Sequence, residues 1–190
     1  MNMIFRFDDI CGNTDMAKAN AMGRILRTSY PNCEIWFCIS PLVHDMTGAK
    51  GSDKERIFPR ILNAYSDFRN FYQVTLCAIP DIISEVSRAS HGLIHVDHRL
   101  LTKEAQEMSI LVSCALAKSS IFVPPFNKWN QDTNDICHEH GIRLAKFEDG
   151  WLCMEYNSFD PDHELWYLHS REFTIESFQE YLDRIPQVTL

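Results

Sequence analysis

Short apolar runs alternate with helix-spaced segments along almost the whole chain. This alternation constrains the fold more than any other feature. Met3 to Phe7 reads as a strand. A helix follows to about Thr28, capped by Asn13 or Thr14, with Met16, Ala19, Met22 and Leu26 at helical spacing. Glu34 to Ser40 is a strongly apolar strand. Pro41 to Pro59 holds Gly48 and Gly51 among many polar residues and reads as a long loop, a length usually reserved for function or mobility. Arg60 to Tyr72 reads as a helix, Val74 to Ile79 as a strand, Asp81 to Ala89 as a short helix and Gly92 to Val96 as a short apolar run.

Thr102 caps a clear helix to about Lys118, with Ala105, Met108, Leu111 (or Val112) and Ala115 along its apolar face. Ile121 to Val123 is a strand stopped by Pro124-Pro125. Thr133 to His140 is a helix ended by Gly141. Arg143 to Phe147, Trp151 to Tyr156 and Leu165 to Leu168 are further strands, and Thr174 caps a last helix to about Ile185.

Strands alternating with helices call for parallel strands joined by crossover helices. No repeat, low-complexity tract or linker divides the chain, so residues 1–190 form a single domain. The expected fold class is α/β: a small, distorted, incomplete (β/α) barrel of about seven strands. A doubly wound open sheet is the alternative. In both, ligands gather at the carboxyl ends of the strands.

Charge narrows the partners. Lys plus Arg is 18 against 26 for Asp plus Glu, a formal net charge of -8 without a basic block. Such a chain does not grip nucleic acid or anionic lipid through its net field. No apolar run approaches the roughly 20 residues that span a bilayer, so no membrane insertion is expected. Arg6, Asp8 and Asp9 stand where a secretory signal would need its apolar stretch, which gives cytoplasmic as the expected location. The seven cysteines include no C-x-x-C pair, and the expectation is buried reduced thiols.

Polar residues at strand ends are the candidates for chemistry. Strand one ends in Phe7-Asp8-Asp9. Neighbouring side chains on an extended chain diverge, so one aspartate would ligate a metal while the other faces substrate or water. A turn-forming aspartate pair is the plainer alternative. His91, His95 and His98 fall in one eight-residue window with metal-ligand spacing. An Asp, His, His set leaves a zinc position open for water, as catalytic sites require. His91 with His95, or His95 with His98, would complete it. A late apolar strand ends in Leu168-His169.

This ordered set resembles the polysaccharide deacetylase family, the NodB-homology or carbohydrate esterase family four domain. The matching motifs are Phe7-Asp8-Asp9, His91-x-x-x-His95, Pro124-Pro125-Phe126 and Leu168-His169, in that order across nearly the whole chain. The resemblance implies a divalent metal, usually zinc. It implies Asp8 as general base, and Asp9, His91 and His95 as metal ligands, with His98 the alternative ligand. Pro124, Pro125 and Phe126 would form a groove wall, Leu168 would line the acyl pocket, and His169 would be the general acid.

Two positions depart from the family pattern. Arg6 stands where Thr or Ser is common, and Val123 where an Arg often orients the catalytic Asp. Asp149 is the nearest match for the residue that tunes the general acid. Asn127, Trp129, Asn130, Trp151 and Trp166 are candidates for sugar contact, and His44 and Asp45 in the long loop would reach the site. The implied activity is metal-dependent hydrolysis of an N-acetyl amide on a sugar, nucleotide sugar or oligosaccharide. Another metal-dependent carbon–nitrogen hydrolase, or a non-catalytic glycan-binding relative, are the alternatives.

Overall fold

A computed structural model describes residues 3–11, 14–43, 75–76, 81–93, 97–145, 158–160 and 165–185. Nine strands and four α-helices are formed by these residues. The strands are β1 (Ile4–Ile10), β2 (Glu34–Ile39), β3 (Leu42–Val43), β4 (Thr75–Leu76), β5 (Ser87–Ser90), β6 (Ile121–Phe122), β7 (Arg143–Leu144), β8 (Ser158–Asp160) and β9 (Leu165–Leu168). The helices are α1 (Met16–Ser29), α2 (Lys103–Ala117), α3 (Gln131–Glu139) and α4 (Ile175–Asp183).

The main sheet runs in the order β7-β6-β5-β2-β1-β9-β8. Its strands pair in parallel except β8, which runs antiparallel to β9. Among the described residues no pairing joins β7 to β8, so hydrogen bonds there do not close the sheet into a barrel. β3 and β4 form a separate antiparallel pair.

Period-two alternation gives the sheet two distinct faces. Phe5, Phe7, Ile35, Phe37, Ile39, Trp166 and Leu168 point into one apolar cluster with Ala19, Met22 and Leu26 of α1 and Phe178 and Leu182 of α4. Trp36, Cys38, Ala89, Val123, Ala145 and Leu165 form a second cluster on the other face, with Ile4 packed against it. Arg6, two residues on from Ile4, and Tyr167, two on from Leu165, share that second face. The candidate site rises from its carboxyl end.

Helix ends follow local chemistry. Thr102 and Thr174 cap α2 and α4, their hydroxyls accepting from Ala105 N and Ser177 N. Asp15, rather than Asn13 or Thr14, caps α1 through Lys18 N. Gly141 follows α3 at φ 65, the left-handed conformation that glycine adopts without a Cβ clash.

Two sequence expectations are corrected. Asp81 to Ala89 is not a helix: residues 81–86 are irregular and Ser87–Ser90 is β5. Its register against β2 pairs Cys38 with Ala89 and Ile39 with Ser90, and the Ser90 hydroxyl meets Ser113 Oγ of α2 at 2.6 Å. Small residues let helix and strands close around this segment, and that context overrides its weak strand propensity.

The second correction is the face that α2 buries. It buries Ala105, Gln106, Ser109, Ile110, Ser113, Cys114 and Ala117, while Val112 is 40% exposed. The buried polar groups are satisfied. Gln106 Nε2 donates to Leu101 O at 3.2 Å, Thr133 Oγ1 donates to Gln106 Oε1 at 2.6 Å, and Ser109 Oγ accepts from Leu93 N at 3.1 Å. A hydrogen-bonded polar group is cheap to bury, so polarity did not mark the outer face.

The helix expected at Arg60 to Tyr72, the strand at Trp151 to Tyr156 and most of the Pro41 to Pro59 loop lie outside the described residues. No helix among the described residues is long and apolar enough to cross a membrane.

Cys33, Cys38, Cys114 and Cys137 are buried, and Cys11 is half-buried. Burial pushes the Cys114 thiol up to about 11 from an ordinary 9.0. The folded state therefore holds that proton more tightly than the unfolded chain. This contribution to stability is complete below about pH 9 and fades as pH rises through about 11. Burial, with Asp8 adding to it, also raises the Cys38 thiol. Iodoacetamide at about pH 8 is expected to alkylate Cys11 at least about tenfold faster than Cys38 or Cys114, as read by peptide mass spectrometry.

Candidate active site

The carboxyl end of β1 carries a local irregularity that shapes the site. Its register with β2 shifts between Phe7 and Ile10, and Asp9 has φ 58. A non-glycine residue there costs about 1–2 kcal/mol, although Asp tolerates it better than most. The bulge breaks the alternation that would send Asp8 and Asp9 to opposite sides. Both carboxylates face one histidine: His91 Nε2 lies 3.6 Å from Asp8 Oδ2 and 4.0 Å from Asp9 Oδ1. The expected divergence of the two aspartates is corrected on this point.

His91 follows β5 and is buried. Its Nδ1 lies 2.9 Å from Val123 O. A carbonyl oxygen only accepts, so Nδ1 carries the hydrogen, and Nε2 is the nitrogen turned toward the aspartates. Metal-ligating histidines are commonly held this way, with the second nitrogen donating to a carbonyl.

Arg6 is fully buried beside this cluster. Its Nε lies 2.9 Å from Asp8 Oδ1, and Nη2 donates to Asp8 Oδ2 at 2.9 Å. Nη1 donates to Asn127 Oδ1 at 2.9 Å, and the guanidinium carbon stands 4.8 Å from the Tyr167 ring centre. Burial is the largest influence and works against its charge, but Asp8, Cys38 and Tyr167 together outweigh it and raise the Arg6 pKa. The ion pair joins residues i and i+2 of one strand, which alternation places on one face.

His169 follows β9 and is buried. Its Nε2 lies 3.4 Å from Asp9 Oδ2 and 3.3 Å from the Tyr167 hydroxyl, whose ring meets the imidazole edge-on. Arg171 Nη1 donates to Asp9 Oδ2 at 3.0 Å, and its Nε donates to Glu172 at 3.1 Å. Asp8, Asp9, His91 and His169, four of the expected reactive residues, thus meet at the ends of β1, β5 and β9.

Other candidates fall elsewhere. His98 is buried against Phe122, with Nε2 3.1 Å from Ser109 Oγ. His95, Asp149, Trp151, His44 and Asp45 lie outside the described residues. Among the described residues no group of three His, Cys, Asp or Glu side chains is arranged to hold a metal ion.

Pro124 and Pro125 are buried, whereas Phe126 and Asn127 are half-buried and left-handed, at φ 58 and 56. That turn aims the Asn127 amide at Arg6. Asn130 is the cap of α3, its Oδ1 accepting from Thr133 N at 3.0 Å. Trp166 stacks on Phe5 in the apolar core, so it is not a sugar platform. Leu168 lies in the same core, on the sheet face away from Tyr167. Trp129 is half-buried.

Arg6, Tyr167 and Arg171 were missed as site residues by reading the sequence. The i, i+2 spacing of Arg6 with Asp8, and of Tyr167 with His169, was the available signal. Nothing local pointed to Arg171.

No family model and no curated protein matches the chain. A solved structure does: a family 4 carbohydrate esterase from Streptomyces lividans in complex with acetate. The likeness has a TM-score of 0.50 at 11% sequence identity, and covers 95% of this chain and 83% of that one. At so low an identity the likeness shows a shared fold, that of a carbohydrate esterase with mixed α/β architecture.

Proposed function

We propose that this protein is a metal-dependent deacetylase that hydrolyses an N-acetyl amide on a sugar or polysaccharide precursor. The observation that carries the reading is the meeting of Asp8, Asp9, His91 and His169 at the carboxyl ends of parallel strands. The fold shared with a carbohydrate esterase supports it.

Asp9 and His91 are two donors of the kind that a divalent cation, zinc above all, takes. His91 offers Nε2 because Val123 O occupies Nδ1, and Asp9 Oδ1 lies next to it. Asp9, His91 and His95 would hold the ion. When bound, such a cation lowers the pKa of a coordinated water to about 7 and polarises a carbonyl.

The chain's own residues do the rest. Asp8 takes a proton from the attacking water as oxygen adds to the acetyl carbon. Arg6 and Asn127 hold the Asp8 carboxyl in place. His169 gives a proton to the departing nitrogen, because an amine anion is far too basic to leave alone. The carbon–nitrogen bond breaks, leaving acetate and a free amine. Pro124, Pro125 and Phe126 form one wall for the sugar, whereas Leu168, in the core on the other sheet face, takes no part. A cytoplasmic protein would act on an N-acetylated sugar, a nucleotide sugar or an oligosaccharide precursor.

The test is direct. Purified protein is expected to carry about one zinc per chain by elemental analysis. It should release acetate from a panel of N-acetylated sugars and nucleotide sugars, and lose that activity on chelation. The absence of both metal uptake and acetate release would overturn the reading.

A further inference from the structure

Two adjacent carboxylates reach the same histidine, and each also meets an arginine. The two arginines differ. Arg6 covers both oxygens of Asp8, with Nε 2.9 Å from Oδ1 and Nη2 2.9 Å from Oδ2. It is fully buried, anchored on its far side by Asn127 Oδ1 and packed on the Tyr167 ring. Arg171 meets Asp9 through Oδ2, and its side chain is 56% exposed.

We infer that Arg6 divides the labour between the two aspartates: it withholds Asp8 from the cation and leaves Asp9 as the carboxylate ligand. The inference rests on the metal-dependent reading above. A cation approaching Asp8 meets a fixed positive charge with nowhere to go, since displacing the guanidinium would strand it in the interior. A cation approaching Asp9 meets an arginine whose side chain is 56% exposed, so that displacing it would deliver its charge to water rather than to the interior. Arg6 is thus a positioning residue.

Adjacent carboxylates on a bulge are otherwise chemically alike. Without Arg6, Asp8 Oδ2, at 3.6 Å from His91 Nε2, is placed as well as Asp9 Oδ1 to share a ligand set with that histidine. The buried ion pair breaks that equivalence.

The experiment titrates metal-stripped, full-length protein with zinc by calorimetry, with circular dichroism as the check on folding. Asp8→Asn is expected to change zinc affinity less than about threefold, and Asp9→Asn to weaken it at least about tenfold. In Arg6→Gln/Asp9→Asn the released Asp8 takes over, and affinity should recover at least about tenfold over Asp9→Asn. If Arg6→Gln does not fold, Arg6→Lys keeps the charge without the fork, and a smaller recovery in the same direction is expected. No recovery in either folded double variant overturns the inference while leaving the metal-dependent reading intact. No zinc uptake by the unaltered protein overturns both.

Discussion

Asp8→Asn is expected to lower kcat for acetate release by about 100- to 10,000-fold, the usual contribution of a positioned general base. KM should change little, and zinc should still be taken up. The asparagine keeps the shape of the carboxyl and accepts from Arg6 at one oxygen, but it takes no proton. Steady-state kinetics on whichever N-acetylated sugar proves active, with zinc content measured on the same samples, checks the result. Activity that survives unchanged would remove Asp8 from the mechanism. Loss of zinc together with activity would make Asp8 a ligand, contrary to the arrangement in which Arg6 occupies both its oxygens.

Arg6→Met is expected to destabilise the fold by about 3–5 kcal/mol, the cost of leaving a buried charge without its partner. Asp8 is itself buried, at 3% exposure, so solvent cannot replace the guanidinium around its two oxygens. Arg6→Met/Asp8→Asn should recover most of that loss, because the second change removes the stranded charge. Replacing a whole buried pair is often nearly neutral, whereas removing one half is not. Urea unfolding of the two variants measures the difference. A loss below about 1 kcal/mol in Arg6→Met would mean that the pair is solvated rather than buried.

Much of the fold was legible because its signals are local. The apolar runs at β1, β2 and β9 contain aromatic and β-branched residues that suit a buried parallel sheet. Thr102 and Thr174 cap helices by bonding residues three positions on, a contact that lies within the chain's own next turn. Gly141 ends α3 for an equally local reason. What failed was decided at a distance. β5 reads as a helix because Ser87, Arg88 and Ser90 have little strand preference, and only β2 and β6 on either side, with α2 packed over them, make it a strand. The buried face of α2 is not legible from polarity because its serines and glutamine find partners outside the helix, at Leu93, Leu101 and Thr133.

The candidate site divides in the same way. The sequence by itself determined which chemical groups are available: two neighbouring aspartates, histidines at strand ends, and an order of motifs resembling a deacetylase. Residue type and strand position are local properties, and they carry that far. Only the tertiary structure decided how the groups are used. The left-handed Asp9 turns both carboxylates toward His91, a reversal that alternation along a strand forbids. The Val123 carbonyl selects which imidazole nitrogen faces the site. Arg6, a departure from the family pattern on paper, becomes the buried partner of Asp8, because an unpaired charge in the interior costs more than an arginine brought in to meet it.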